Sequence, residues 1–394
     1  MPAPGRARSF LDDYTRDLTP ADVRRLFTRD TAEAYRYFTK HADAKKLAAE
    51  PWYRRWPMQV RLVFKGFTMR LSPARRALYA VGVVAALLGI AMLFRGFAPV
   101  RVFLFPFTIS VLMPTWVQGT TWLIVAFVAL NLLVLMEVAD RLSLKGELEV
   151  ARDIQLAMLP AGMRQAGDAV ICGVTRPANT VGGDFYDVIP LADGRLVLAL
   201  GDVAGKGSPA ALLMALLLAM LRTLVDEGLE AARLIERLNV QVAKHSPASR
   251  FITFFYGLYD PRTGVLQYVN AGHLPPVLLR ANGEFDRSAS SSPGGLALGM
   301  FDHATYQTSQ LTIEPGDVLV LYSDGITEAE NPEGKAFEEA GLEAVLTRVA
   351  ASDPNEIGTA ILASVEIYAA DARLADDLTT LVVKRAATPT ATGV

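Results

Sequence analysis

Hydrophobic and polar positions divide the chain into two regimes. Between Ala77 and Phe94 no residue is charged, and arginines stand on either side at 75, 76 and 95. Eighteen residues at about 1.5 Å each rise roughly 27 Å, enough for one membrane crossing. A second uncharged run, Val102 to Met136, is interrupted by Pro106, Pro114 and Gly119. Its later part, about Thr120–Val138, predicts a second span, with Trp116 and Trp122 near its start where interface aromatics collect. The earlier part, Val102–Met113, is read as an interfacial or re-entrant segment, because a third span would put the chain's two ends on opposite sides.

After the second span, helical periodicity continues to Pro160. Leu144, Leu148, Ala151, Gln155 and Met158 recur at alternating spacings of four and three, as in a short coiled-coil stripe. One amphipathic helix lying on its own domain and a parallel dimer stalk both fit this pattern. From about Ala169 the pattern turns to apolar strands: Ala169–Thr175, Asp184–Leu191, Arg195–Leu200, Phe251–Tyr259, Val265–Asn270, Pro276–Arg280, Asp317–Tyr322 and Thr379–Lys384. Turn signals at 192–194, 260–264 and 282–283 imply short antiparallel links. Helical patterns lie at Pro209–Glu227, Glu230–Lys244, Ala340–Ala351 and Asn355–Tyr368. The expected class is α+β, two sheets with helices packed outside.

Charge orients the membrane segments. Arg54, Arg55, Arg61, Lys65, Arg70, Arg75 and Arg76 precede the first span, and Arg141, Lys145 and Arg152 follow the second. The intervening loop has only Arg95 and Arg101. This bias places both ends in the cytoplasm around a two-helix hairpin. Thr19-Pro20 opens a helical pattern in the polar stretch before it, and the length of that stretch argues against a cleaved signal peptide. The mean hydropathy of +0.26 agrees with membrane segments. A net charge of −2 gives no electrostatic reason to expect nucleic acid. One cysteine and four histidines leave little material for a zinc site, so a metal here would be held by oxygen. Too few spans, with no charge inside them, argue against a transporter.

The stretch GDVAGKGS, Gly201–Ser208, looks at first like a phosphate loop: strand, glycines, lysine, serine, helix. Only three residues separate Gly201 from Gly205-Lys206, however, and Gly207 follows the lysine where Ser or Thr is required. What remains is Asp202 at a strand end beside glycines. The same pattern recurs at Asp324 in YSDGITE, Asp184 in GGDFYD, and Asp376 and Asp377 in ADDLTTLVV. Carboxylates at the ends of different strands can converge on one edge of a sandwich, where they repel one another unless a cation intervenes. An all-oxygen donor set suits Mg²⁺ or Mn²⁺.

Taken together, ELEVARDIQLAMLP, GGDFYD, GDVAGKGSPAALLMA, NAGHLPPVLLR, LYSDGITEAEN and ADDLTTLVV resemble the bacterial SpoIIE/RsbU branch of the metal-dependent PPM (type 2C-like) protein phosphatases, over about Glu147–Arg385. The resemblance implies an α-β-β-α sandwich with two Mn²⁺ or Mg²⁺ ions that activate water against phosphoserine or phosphothreonine. By motif, Asp202 would bridge both ions and the carbonyl of Val203 would complete one shell. Asp324 and Asp376 would bind the other ion, and Asp184 would contribute, through water. The catalytic set so implied is Asp202, Asp324 and Asp376, with Asp377 behind it. Asp-Val-Ala-Gly stands where eukaryotic relatives have Asp-Gly-His-Gly, and no arginine near the domain start is an evident phosphate clamp.

Several roles stay open. Lys206 is a phosphate contact or a solvated loop lysine, and His273 a proton donor to the leaving oxygen or a hydrogen-bonded core histidine. The helix from Pro209 is a regulatory switch or a plain core element. The implied function is a membrane-anchored Ser/Thr phosphatase acting on a phosphorylated anti-sigma-factor antagonist, with a homodimer through the linker helix as a further option. The alternative is a catalytically silent binding module of the same fold. The expected layout is an N-terminal cytoplasmic helical region (1–75), a transmembrane region (76–138), a linker helix (139–160), a phosphatase domain (161–386) and a disordered tail (387–394).

Overall fold

The computed structural model describes Met58, Arg61, residues 64–69 and residues 71–387, except 105–106, 248–249, 292–293 and 371–373. Almost all of the expected N-terminal helical region, with its Thr19-Pro20 start, lies outside the described residues. So does the expected tail beyond residue 387. The chain forms two compact units, Met1–Leu142 and Ser143–Val394.

In the first unit, α1 (Pro73–Phe94) leads through β1 (Phe97–Leu104) and β2 (Phe107–Pro114) into α2 (Trp116–Met158). The two helices meet at small residues. A Cβ on Gly89 would stand 2.9 Å from the Gly119 carbonyl oxygen, and one on Gly119 equally close to that of Gly89. Close approach of this kind substitutes backbone packing for a hydrophobic drive that lipid cannot supply. At the opposite end Arg75 reaches Asp140 at 2.6 Å.

Val102–Met113, read as interfacial or re-entrant, belongs to an antiparallel hairpin pairing Phe97 with Pro114 through to Leu104 with Phe107, and forms no third helical span. Phe, Val and Ile favour a pleated backbone. The expected linker helix continues the second span without a break, as the single helix α2 of 43 residues.

From Ser143 onward lies a two-sheet sandwich. The strands are β3 (Met163–Ala166), β4 (Ala169–Arg176), β5 (Phe185–Pro190), β6 (Leu196–Val203), β7 (Ile252–Asp260), β8 (Val265–Ala271), β9 (Val277–Leu279), β10 (Phe285–Asp286), β11 (Ser309–Thr312), β12 (Val318–Tyr322) and β13 (Leu378–Arg385). One sheet has the order β10-β9-β12-β13-β4-β3, the other β11-β8-β7-β6-β5. All these pairings are antiparallel. The helices α3 (Ser208–Val225) and α4 (Ala231–His245) cover the five-stranded sheet. The helices α6 (Glu338–Val349) and α7 (Pro354–Ala369) cover the six-stranded one, after a single helical turn, α5 (Asp324–Thr327). This is the expected α-β-β-α arrangement, and all eight expected strands are present. β3, β10 and β11, of two to four residues, are too short to leave a pattern.

Phe185, Leu200, Phe254 and Leu381 are fully buried between and behind the sheets. Gly173 on β4 lets the sheets close up, because a Cβ there would fall 2.1 Å from the Tyr186 ring on β5. Among the described residues three helices are long and apolar enough to cross a membrane: α1, α2 and α3. α3 spends its apolar residues on the sandwich, with Met214, Leu217, Leu218 and Leu221 fully buried.

The end of α2 packs on this unit. Its stripe Leu144, Leu148, Ala151, Gln155 and Met158 lines a groove whose other wall includes Ala211 and Met214 of α3. Three polar bonds fix its last turns. Gln155 bonds Gly182, Arg222 donates to the Met158 carbonyl at 2.6 Å, and the Tyr186 hydroxyl donates to that of Pro160 at 3.2 Å. Part of the stripe thus packs on the helix's own domain, while Leu144, Val150 and Ile154 stay exposed.

Candidate functional site

Each acidic motif sits where a strand begins or ends. Asp202 is the penultimate residue of β6, and Asp184 immediately precedes β5, one step beyond the pair Phe185–Gly201. Asp324 opens α5 just after β12, and Asp376 lies two residues before β13. β12 and β13 are neighbours, joined at this end by the Ser323 amide donating to the Thr379 carbonyl at 3.0 Å. Each sheet therefore contributes two of the four carboxylates.

Glycines bring the backbone close to these groups. A Cβ on Gly183 would stand 3.0 Å from both Oδ1 of Asp202 and the carbonyl oxygen of Val203. Those two oxygens therefore face the same small space, as expected if both serve one ion. On Gly325 a Cβ would meet the Asp377 carbonyl oxygen at 2.1 Å, which ties the Asp324 turn to the start of β13. Gly205 has φ +102°, a left-handed conformation that suits glycine, and there the Arg250 guanidinium donates to the Ala204 carbonyl at 2.9 Å.

The electrostatics show what this convergence costs. Burial, then the neighbouring charge of Asp202, pushes the Asp184 carboxyl far above its usual range; the hydroxyls of Ser323 and Thr379 offset part of the effect. Burial, then the charge of Asp324, pushes Asp202 up to about 7, with Asp376 and Asp377 adding to it. Asp324 is raised by burial and then by Asp376. Carboxylates held in mutual repulsion are stabilised by a cation placed among them.

A direct sign of such a place is Oδ2 of Asp184, which is buried without a hydrogen-bond partner. Buried polar atoms are otherwise almost always satisfied. The donor set is entirely oxygen, so these residues fit Mg²⁺ or Mn²⁺. Among the described residues no three Asp, Glu, His or Cys side chains stand close enough to form a finished ion cage.

The remaining residues singled out in the sequence divide clearly. Asp377 is a buried staple: its Oδ1 accepts from the Ala178 amide at 2.8 Å and its Oδ2 from the Gly183 amide at 2.7 Å. Lys206, half exposed, is ion-paired to Asp376. His273 has both ring nitrogens engaged, Nδ1 with the Thr253 hydroxyl at 3.0 Å and Nε2 with the Tyr322 carbonyl at 3.1 Å. Burial lowers its pKa to about 4, so it is neutral near pH 7 and serves as a core strut. Gln155, Arg250, Ser323 and Thr379 were missed by sequence reasoning. Each acts by a bond to or beside the backbone, and no motif signals that.

Comparison with known proteins places the chain in a family. The family described as Stage II sporulation protein E (SpoIIE) matches residues 192–386. The phosphoserine phosphatase RsbU of Bacillus subtilis is 30% identical over 244 residues, covering 61% of this chain and 71% of RsbU. The chain belongs to the SpoIIE/RsbU family of PP2C-type phosphatases. Protein IcfG of Synechocystis is 32% identical over 242 residues, 55% of this chain but 38% of IcfG, so the chain spans well under half of that relative. The SiaA-PP2C domain of Pseudomonas aeruginosa shares the fold, with a TM-score of 0.54 at 22% identity over 62% of this chain and 98% of that one.

Proposed function

We propose that this SpoIIE/RsbU-family chain is a membrane-anchored protein serine/threonine phosphatase that depends on two Mn²⁺ or Mg²⁺ ions. The observation that carries the proposal is the set of four carboxylates at strand ends, two from each sheet, three of them raised by burial and by one another's charge, together with an unpartnered buried oxygen on Asp184. Asp184, Asp202, the Val203 carbonyl, Asp324 and Asp376 would hold the ions. When bound, such a pair supplies a water activated for attack on phosphorus and neutralises charge on the phosphoryl oxygens.

The chain's own residues supply position. β5 and β6 present Asp184 and Asp202, β12 and β13 present Asp324 and Asp376, and Asp377 keeps the Gly182–Gly183 loop against them. His273, neutral and bonded on both sides, is left out of proton transfer. Lys206, bonded to Asp376, keeps a positive charge at the rim where a phosphoryl group would arrive.

The substrate proposed is a phosphoserine or phosphothreonine protein of the anti-sigma-factor-antagonist kind, an inference supported by the likeness to RsbU. Anchoring in a bacterial inner membrane, with the sandwich in the cytoplasm, is supported by α1 and α2 and by the placing of arginine and lysine around them. A homodimer through the linker helix is part of the same reading, supported by Leu144, Val150 and Ile154, which stay 58–60% exposed.

The test is release of phosphate from a phosphoserine peptide by the full chain in detergent, with Mn²⁺, with Mg²⁺ and with EDTA. Turnover that requires metal and disappears in Asp202→Asn is expected. Metal binding without turnover on any phosphopeptide would favour the silent-module alternative.

A further inference from the structure

Gln155 reverses the usual logic of its helix. Its neighbours Ile154 and Leu156 are apolar yet 60% and 40% exposed, while Gln155, a polar residue, is only 6% exposed. A primary amide is tolerated in such a place only if it is fully matched. It is matched reciprocally: Nε2 donates to the Gly182 carbonyl at 2.9 Å, and the Gly182 amide donates to Oε1 at 3.2 Å. The side chain thus acts as one residue of a neighbouring strand.

Gly182 and Gly183 have no side chains with which to anchor the loop that delivers Asp184. Their backbone is held from two directions, by Asp377 at Gly183 and by Gln155 at Gly182. Asp377 belongs to the sheet edge that also carries Asp376, whereas Gln155 comes from a helix outside both sheets. Next in the chain stands Asp184, which leads into β5 one step beyond the Phe185–Gly201 pair, beside Asp202 on β6. If the Gln155 staple were removed, the Gly182 backbone would lose both bonds that fix it, and only Asp377 at Gly183 would hold the loop.

We infer that Gln155 is a positioning residue for the metal centre, holding Gly182 so that Asp184 stays beside Asp202. The inference rests on the metal-dependent reading above and deepens it. Outer partners that orient ligands commonly contribute about 10- to 100-fold in metal affinity. Gln155→Met, nearly the same size but unable to make either bond, is therefore expected to weaken binding by about tenfold.

The experiment uses the full chain in detergent, with Mn²⁺ as the probe. Free Mn²⁺ is followed by electron paramagnetic resonance during titration of the wild-type and Gln155→Met proteins. Amide hydrogen exchange is measured on the metal-free forms. The expected result is faster exchange across residues 178–184 with β6 and β7 unchanged, and an Mn²⁺ affinity lower by about tenfold. Near-normal kcat should return at saturating Mn²⁺, a recovery that general destabilisation would not give. If Gln155→Met does not fold, Gln155→Glu, which keeps the acceptor for the Gly182 amide, carries the same expectation in weaker form. Equal Mn²⁺ affinity in variant and wild type overturns the role of Gln155. A wild-type protein that binds no Mn²⁺ overturns the metal reading itself.

Discussion

The ammonium of Lys206 stands 2.8 Å from Oδ2 of Asp376 and also donates to the carbonyl of Ala375. The loop after β6 is thereby joined to the loop before β13, across the gap between the two sheets. A lysine bonded to a proposed ligand competes with the ion that ligand would hold. Because the pair is half exposed, its strength lies in the range of surface ion pairs, about 0.2–1 kcal/mol. Lys206→Met should therefore lower the Mn²⁺ concentration for half-maximal activity by about two- to fivefold. Metal titration of phosphatase activity checks this. A raised KM for phosphopeptide with unchanged metal response would instead make Lys206 a substrate contact.

Asp202→Asn should abolish turnover yet leave the metal-free protein more stable at neutral pH. The folded-state pKa of Asp202 is raised to about 7 from an ordinary carboxylate value. Its contribution to stability is therefore full in acid and is lost as pH rises through that range. Thermal unfolding with EDTA at pH 5 and pH 8 should show a smaller fall across the pair of conditions for the variant. In the wild type, Mn²⁺ should raise the melting temperature more at pH 8 than at pH 5. Equal fall in wild type and variant would show that Asp202 is not held under repulsion.

His273 gives the opposite slope. Its folded pKa of about 4 lies below the ordinary histidine value of 6.5. The unfolded chain therefore binds the extra proton first, and stability is lost as pH falls from 6.5 towards 4. At 1.36 kcal/mol per unit the full loss is about 3 kcal/mol. His273→Gln should flatten the acid limb of a denaturation series between those values while retaining at least a tenth of the activity. Loss of activity with an unchanged acid limb would restore His273 to the chemistry.

Asp377→Ala removes the acceptor for two amides, that of Gly183 buried and that of Ala178 half-buried. Each unmet buried group costs about 1–3 kcal/mol. A loss of roughly 2–5 kcal/mol is expected in urea unfolding of the metal-free chain. A change below half of one kcal/mol would mean that the loop finds other partners.

The two sheets and their acids were legible because their signals are local. Strand alternation, turn glycines and an aspartate at a strand end all lie within a few consecutive residues. Asp184, Asp202, Asp324 and Asp376 sit at strand ends, as those signals suggested. The β1–β2 hairpin was not legible, since its few polar positions, Arg101, Thr108 and Ser110, lie within a long apolar stretch that reads as membrane segment. Gln155 was legible only as one position in an apolar stripe; its partner Gly182 is 27 residues away. The pairing of Lys206 with Asp376 was not legible either, because the distance between them is set by how two sheets meet, which neither segment encodes alone.

That meeting of the sheets at Gly173 and Tyr186 has a thermodynamic consequence. Half of the carboxylate set belongs to each layer, so ions bound among them would act as rivets driven through the sandwich. Occupancy and the seating of one layer on the other would then be a single equilibrium. Loosening the seam with Tyr186→Ala, which removes no carboxylate, should make the protein harder to charge with metal, and metal should slow the opening of core amides in both layers at once.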